Sequence, residues 1–71
     1  MKKILIVIEN TGRGFSAYSP DLEGCTATGA TREEVEQAMV EAVRFHVEGL
    51  KKEGYVIPEP KSYSKFIEIK E

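Results

Sequence analysis

Ile4-Leu5-Ile6-Val7-Ile8 is a run of five consecutive apolar side chains, four of them β-branched. Such residues fit a pleated strand better than a helix, and side chains along a strand point alternately to its two faces. A strand apolar on both faces has to be covered on both. The remainder of the chain must supply that cover. At 71 residues there is room for one domain, spanning residues 1–71. A domain of this size buries only about 60% of the surface its unfolded chain exposes, so its core is thin and association is a common remedy.

Asn10-Thr11-Gly12-Arg13-Gly14 reads as a turn, and Phe15-Ser16-Ala17-Tyr18-Ser19 as the returning strand of a hairpin. Pro20-Asp21-Leu22-Glu23-Gly24 is a second turn. Cys25-Thr26-Ala27-Thr28-Gly29 is a third strand, with small residues at 25, 27 and 29 that let a helix come close. Thr31 and Glu34 form a T-x-x-E capping box. The periodicity predicts a helix over residues 32–53, with Val35, Ala38, Met39, Ala42, Val43, Phe45, His46 and Leu50 on its apolar face. Gly54 suits its C-terminal end. Pro58 and Pro60 exclude helix from the next segment, and Tyr63 to Lys70 alternates around Phe66, Ile67 and Ile69 as a last strand.

The expected fold is α+β, with element order β-β-β-α-β and a four-stranded mixed sheet in the order 3-2-1-4. Strand Ile4–Ile8 is central, and the single helix covers one face. The other face carries either Leu5 and Val7 or Ile4, Ile6 and Ile8, and a partner chain is its economical cover. A homodimer or higher homo-oligomer is therefore expected. Its candidate contacts are Leu5 and Val7, or Val40 and Val47 beside the main helical stripe.

Charge and chemistry exclude several functions. Residues 1–30 hold three basic and three acidic side chains, as do residues 54–71, whereas Thr31–Glu53 holds four basic and six acidic. No Lys/Arg cluster marks a nucleic-acid footprint, so no direct nucleic-acid contact is expected. Glu33, Glu36, Glu41 and Glu48 are candidates for meeting a basic protein partner. A single cysteine suits a reducing cytosol, and no stretch approaches the roughly 20 apolar residues of a membrane span, so the expected location is cytoplasmic. The interior of the first strand is apolar and its only acid, Glu9, stands at the exit, which offers no converging carboxylates for metal-dependent hydrolysis. His46 has no partner at a spacing that would make it a general base, and Cys25 has none that would lower its pKa. Neither a catalytic residue nor a metal or cofactor is expected. Asp21 either caps its own turn or meets a partner. Ile57-Pro58-Glu59-Pro60 is either a stiff connector or a docking motif.

Phe15-x-Ala17-x-x-Pro20-Asp21-Leu22-x-Gly24-Cys25, then Gly29-x-Thr31-x-x-Glu34, then Gly54-x-x-Ile57-Pro58-x-Pro60 resembles the HicB-like antitoxin family. The ordered set spans residues 15–60. The resemblance implies a truncated RNase H-like fold, β-β-β-α-β, and a small basic RNA-cleaving partner of the HicA type whose active site is covered. It gives Pro20, Asp21, Leu22, Gly24, Cys25, Pro58 and Pro60 structural or partner-facing roles. Glu23 stands where the family often has proline. Many members continue into a C-terminal DNA-binding domain, for which these 71 residues hold no segment, so operator binding is not expected of them. The alternative function is a self-assembling scaffold or small-ligand-binding domain with no toxin partner.

Overall fold

The protein is described by a computed structural model that covers residues 2–71. Three short strands, β1 (Val7–Asn10), β2 (Phe15–Tyr18) and β3 (Thr26–Gly29), precede one long helix, α1 (Arg32–Lys52). The sheet is an antiparallel meander in the order β1-β2-β3. Val7 pairs with Tyr18 and Ile8 with Ala17, and Ala17 in turn with Ala27.

The class is α+β as expected, but the sheet has three strands, not four. Residues 63–70 form no strand and pair with nothing in the sheet. β1 is consequently an edge strand, and it begins at Val7 instead of Ile4. After α1 the connector is held at Ser62 by Asp21, in the turn between β2 and β3. The chain leaves this point outward. Tyr63, Phe66, Ile67 and Ile69 all stand in solvent, Phe66 completely. The radius of gyration is accordingly 13.9 Å, against about 11 Å for a compact chain of this length.

The alternation of the first apolar run survives outside the formal strand. Ile4, Ile6 and Ile8 pack against the core, while Leu5 and Val7 are half-buried on the opposite face, where Val7 faces Tyr18. The core itself is small: Ala17, Leu22, Cys25, Val35 and Met39.

α1 starts where the capping box places it. The Glu34 backbone N–H donates to Thr31 Oγ1 at 3.1 Å, and the Glu34 carboxylate accepts from the Ala30 N–H at 3.0 Å. The helix packs mainly on β3 and then on β2. Gly29 is what lets it come so close. A Cβ there would lie 2.6 Å from the Val35 backbone nitrogen and 2.9 Å from its Cα. At 21 residues α1 is about 32 Å long, whereas strands of four residues span about 13 Å. Its C-terminal half overhangs the sheet. Phe45, expected on the buried stripe, is 80% exposed, standing about 120° around the helix from the buried Met39.

Candidate functional site

The Pro20–Cys25 loop is divided between packing and anchoring. Leu22 and Cys25 are core residues, and the loop is closed by the Cys25 N–H donating to the Leu22 carbonyl. Gly24 turns the chain at φ 79°, a conformation that side chains disfavour. Pro20 is exposed. Asp21 does not cap its own turn. Its carboxylate accepts from the Ser62 N–H at 3.2 Å and from Ser62 Oγ at 3.0 Å. Burial pushes the Cys25 thiol above its ordinary pKa, which favours the neutral thiol over the nucleophilic thiolate.

Pro58 is exposed and Pro60 half-buried in the connector that leads to Ser62. Lys2 Nζ holds that connector, donating to the Ile57 carbonyl at 3.2 Å and pairing with Glu59 at 2.8 Å. His46 is half-buried on the overhanging part of α1, beside a shallow 330 Å³ cavity also lined by Phe45, Leu50 and Tyr55. Among the described residues, no group of three or more His, Cys, Asp or Glu side chains could hold a metal ion, and no helix is long and apolar enough to cross a membrane.

The four acidic candidates do not form one patch. Glu33 lies in the first turn of α1, and Glu36 falls on the Val40 side of the helix. Glu41 and Glu48 do belong together, because Phe45 lies between them at four and three residues' distance, on the same exposed face. This stripe presents a bare aromatic ring with a carboxylate one turn before it and another one turn after it. The sequence reading missed Phe45 as a surface residue. Its angular position would have revealed it, since six residues at about 100° each put Phe45 about 120° around the helix from Met39.

Val40 is 40% exposed and Val47 half-buried, on the flank of α1 that faces the N-terminal run. Between this flank and the N-terminal run lies a groove of 570 Å³, lined by Ile4, Val43, Val47 and Ile57 with Lys2, Arg44, Glu48 and Lys51 around it. A second hollow of 270 Å³ adds Ile6, Met39 and Val40.

The model of the HicB_like antitoxin family of bacterial toxin–antitoxin systems matches residues 3–71. An uncharacterised 14.9 kDa protein from the rep-hol intergenic region of Haemophilus phage HP1 is 31% identical over 62 residues. That alignment takes in 87% of this chain and 47% of the phage protein, so the chain spans about half the length of that relative. Among solved structures, a chain of the HicA3 and HicB3 toxin–antitoxin complex superposes with a TM-score of 0.69 at 35% identity, covering 84% of this chain and 72% of that one. The chain belongs to the HicB-like antitoxin family.

Proposed function

We propose that this domain binds a small basic toxin of the HicA type and blocks its RNA-cleaving surface sterically. The observation that carries the reading is the Glu41–Phe45–Glu48 stripe on the solvent face of α1. A large exposed aromatic side chain is a typical interface anchor once a partner buries it. The two flanking carboxylates attract a basic surface and speed encounter, an effect that weakens with salt. The similarity to a chain solved in a toxin–antitoxin complex supports the same partner class. Inhibition by coverage needs no catalytic group, metal or cofactor from this domain. On this reading the domain works in the cytoplasm and touches no nucleic acid itself.

The test is titration of the domain into a HicA-type toxin encoded beside it, reading both affinity and RNA cleavage. Stoichiometric binding with loss of cleavage is expected. Phe45→Ala weakens binding on the order of thirtyfold, the effect of losing one interface anchor. Joint Glu41→Gln and Glu48→Gln substitution slows association at low salt and flattens its salt dependence. Cleavage undiminished at saturating domain would overturn the proposal.

A further inference from the structure

We infer that the hollow at the C-terminal end of α1, lined by Phe45 and Tyr55, receives one arginine side chain of the basic toxin. This rests on the toxin-binding reading above and assigns a specific contact within it.

Gly49 is the only glycine in α1. Glycine is less favourable inside a helix than any residue except proline. Other glycines of the chain have local reasons. Gly24 and Gly54 take positive φ, and Gly29 lets the backbone of Val35 come close. Gly49 has neither reason. Its φ is not positive, and a Cβ built on it would meet nothing within 4 Å. A larger residue would favour the helix and fit the domain. The glycine therefore weakens α1 without serving a contact inside the fold, and its effect is to leave space. That space is the 330 Å³ hollow, which Gly49 lines with Phe45 one turn before it and Glu53 one turn after. Bare backbone at this point lets a group from outside come close.

The wall beyond the helix is held in place. The Tyr55 N–H donates to the Leu50 carbonyl at 2.8 Å, and the Gly54 N–H to the Lys51 carbonyl at 3.1 Å. These are the paired bonds of a Schellman motif. They bring Tyr55 back beside the last turn, where it lines the hollow with the half-buried His46 and Leu50. Phe45 and Tyr55 are 80% and 66% exposed, so both rings are open to a guest.

The chemistry of the hollow selects a cation on an apolar stem. Aromatic faces attract cations, and a planar, weakly hydrated guanidinium stacks on them where an ammonium cannot. Glu53 supplies an exposed carboxylate at the rim. The C-terminal end of the helix dipole adds partial negative charge. Lys51 and Lys52, the basic residues of the last turn, do not line the hollow. An apolar guest would meet the rings but bring nothing to the carboxylate. Pockets for small molecules run from roughly 300 to 1,000 Å³, and the hollow stands at the bottom of that range, which suits a single side chain.

The test is a double-mutant cycle in which the full chain binds the HicA-type toxin encoded beside it. Gly49→Met is made on one side, and each arginine of the toxin is changed in turn to alanine on the other. Gly49→Met should weaken binding at least about tenfold, because methionine fills the hollow. Its thermal midpoint should nevertheless stay at or above that of the wild type, since methionine is the better helix former. A glycine needed only for folding would lower both. One toxin arginine should cost about tenfold against the wild-type domain and less than about twofold against Gly49→Met. Glu53→Gln should weaken binding on the order of threefold at low salt, an effect that fades as salt is added. Wild-type affinity in Gly49→Met, or free-energy losses that add at every toxin arginine, would overturn the arginine contact and leave the toxin-binding reading standing. A wild-type domain that does not bind the toxin at all would overturn both.

Discussion

Ser62 donates two hydrogen bonds to the carboxylate of Asp21, one from its backbone N–H and one from its hydroxyl, joining residues 41 positions apart. Each bond involves a charged acceptor in a half-buried setting, and such bonds contribute about 1.5–3 kcal/mol when their geometry is good. The link ties the connector after α1 to the turn between β2 and β3. It determines where the last segment leaves the domain.

Replacing Asp21 with Ala should release that connector without unfolding the rest, because the core residues Leu22 and Cys25 remain in place. Hydrogen exchange at the Ser62 amide should quicken at least about tenfold, the equivalent of ~1.4 kcal/mol of local opening, while amides of β2 and α1 stay protected. Unchanged exchange at Ser62 would mean that the connector is held by Lys2 and Glu59 alone.

The turn residues and both caps of the helix could be read from sequence because each follows from local pattern, whereas alternation divided the first apolar run into two sets and only the packing shows that Ile4, Ile6 and Ile8 face inward. Glu34 finds Thr31 three residues away, and Gly54 ends the helix at φ 78°. The missing strand depends on relations between distant parts. Periodicity places Phe45 at the margin of the apolar stripe, and the packing leaves it bare while Val47 and Leu50, farther along α1, are half-buried. Alternation gives residues 63–70 the pattern of a strand but does not say which edge they reach, and nothing near Asp21 in sequence announces Ser62. The acidic candidates were separable only once α1 was in place, when Glu36 turned toward Val40 and Glu41 and Glu48 framed Phe45.

Gly29 offers a test of how tightly α1 sits on the sheet. Its missing Cβ would stand 2.6 Å from the Val35 nitrogen, and backbone cannot move aside as a flexible side chain can. Gly29→Ala should therefore push the helix outward, at a cost of about 1–3 kcal/mol, typical of overpacking. A domain of this size has only about 4–10 kcal/mol of stability in all, so the urea midpoint should fall visibly. A midpoint shift worth less than about 0.5 kcal/mol would indicate that α1 can seat farther from β3 at little cost.

Cys25 links the same core to pH. The thiol is 4% exposed, and its desolvation raises its pKa above the ordinary 9.0. At neutral pH the thiol is protonated in both folded and unfolded chains, so its burial contribution is fully present. As pH rises past 9.0 the unfolded chain loses this proton before the folded one does, and stability declines through the folded value. Thermal unfolding followed from about pH 7 to about pH 10.5 should show a downward slope that is shallower in Cys25→Ala, every other ionisable group being common to the two proteins. The alanine protein should also start from lower stability, having lost buried volume beside Leu22 and Met39. Reaction with a thiol-specific disulfide reagent gives an independent reading. The folded protein should react on the order of a hundredfold more slowly than the urea-unfolded chain, because attack requires both opening of the core and formation of the thiolate. Equal slopes in the two proteins, with rapid labelling of the folded thiol, would place Cys25 in contact with solvent instead of in the core.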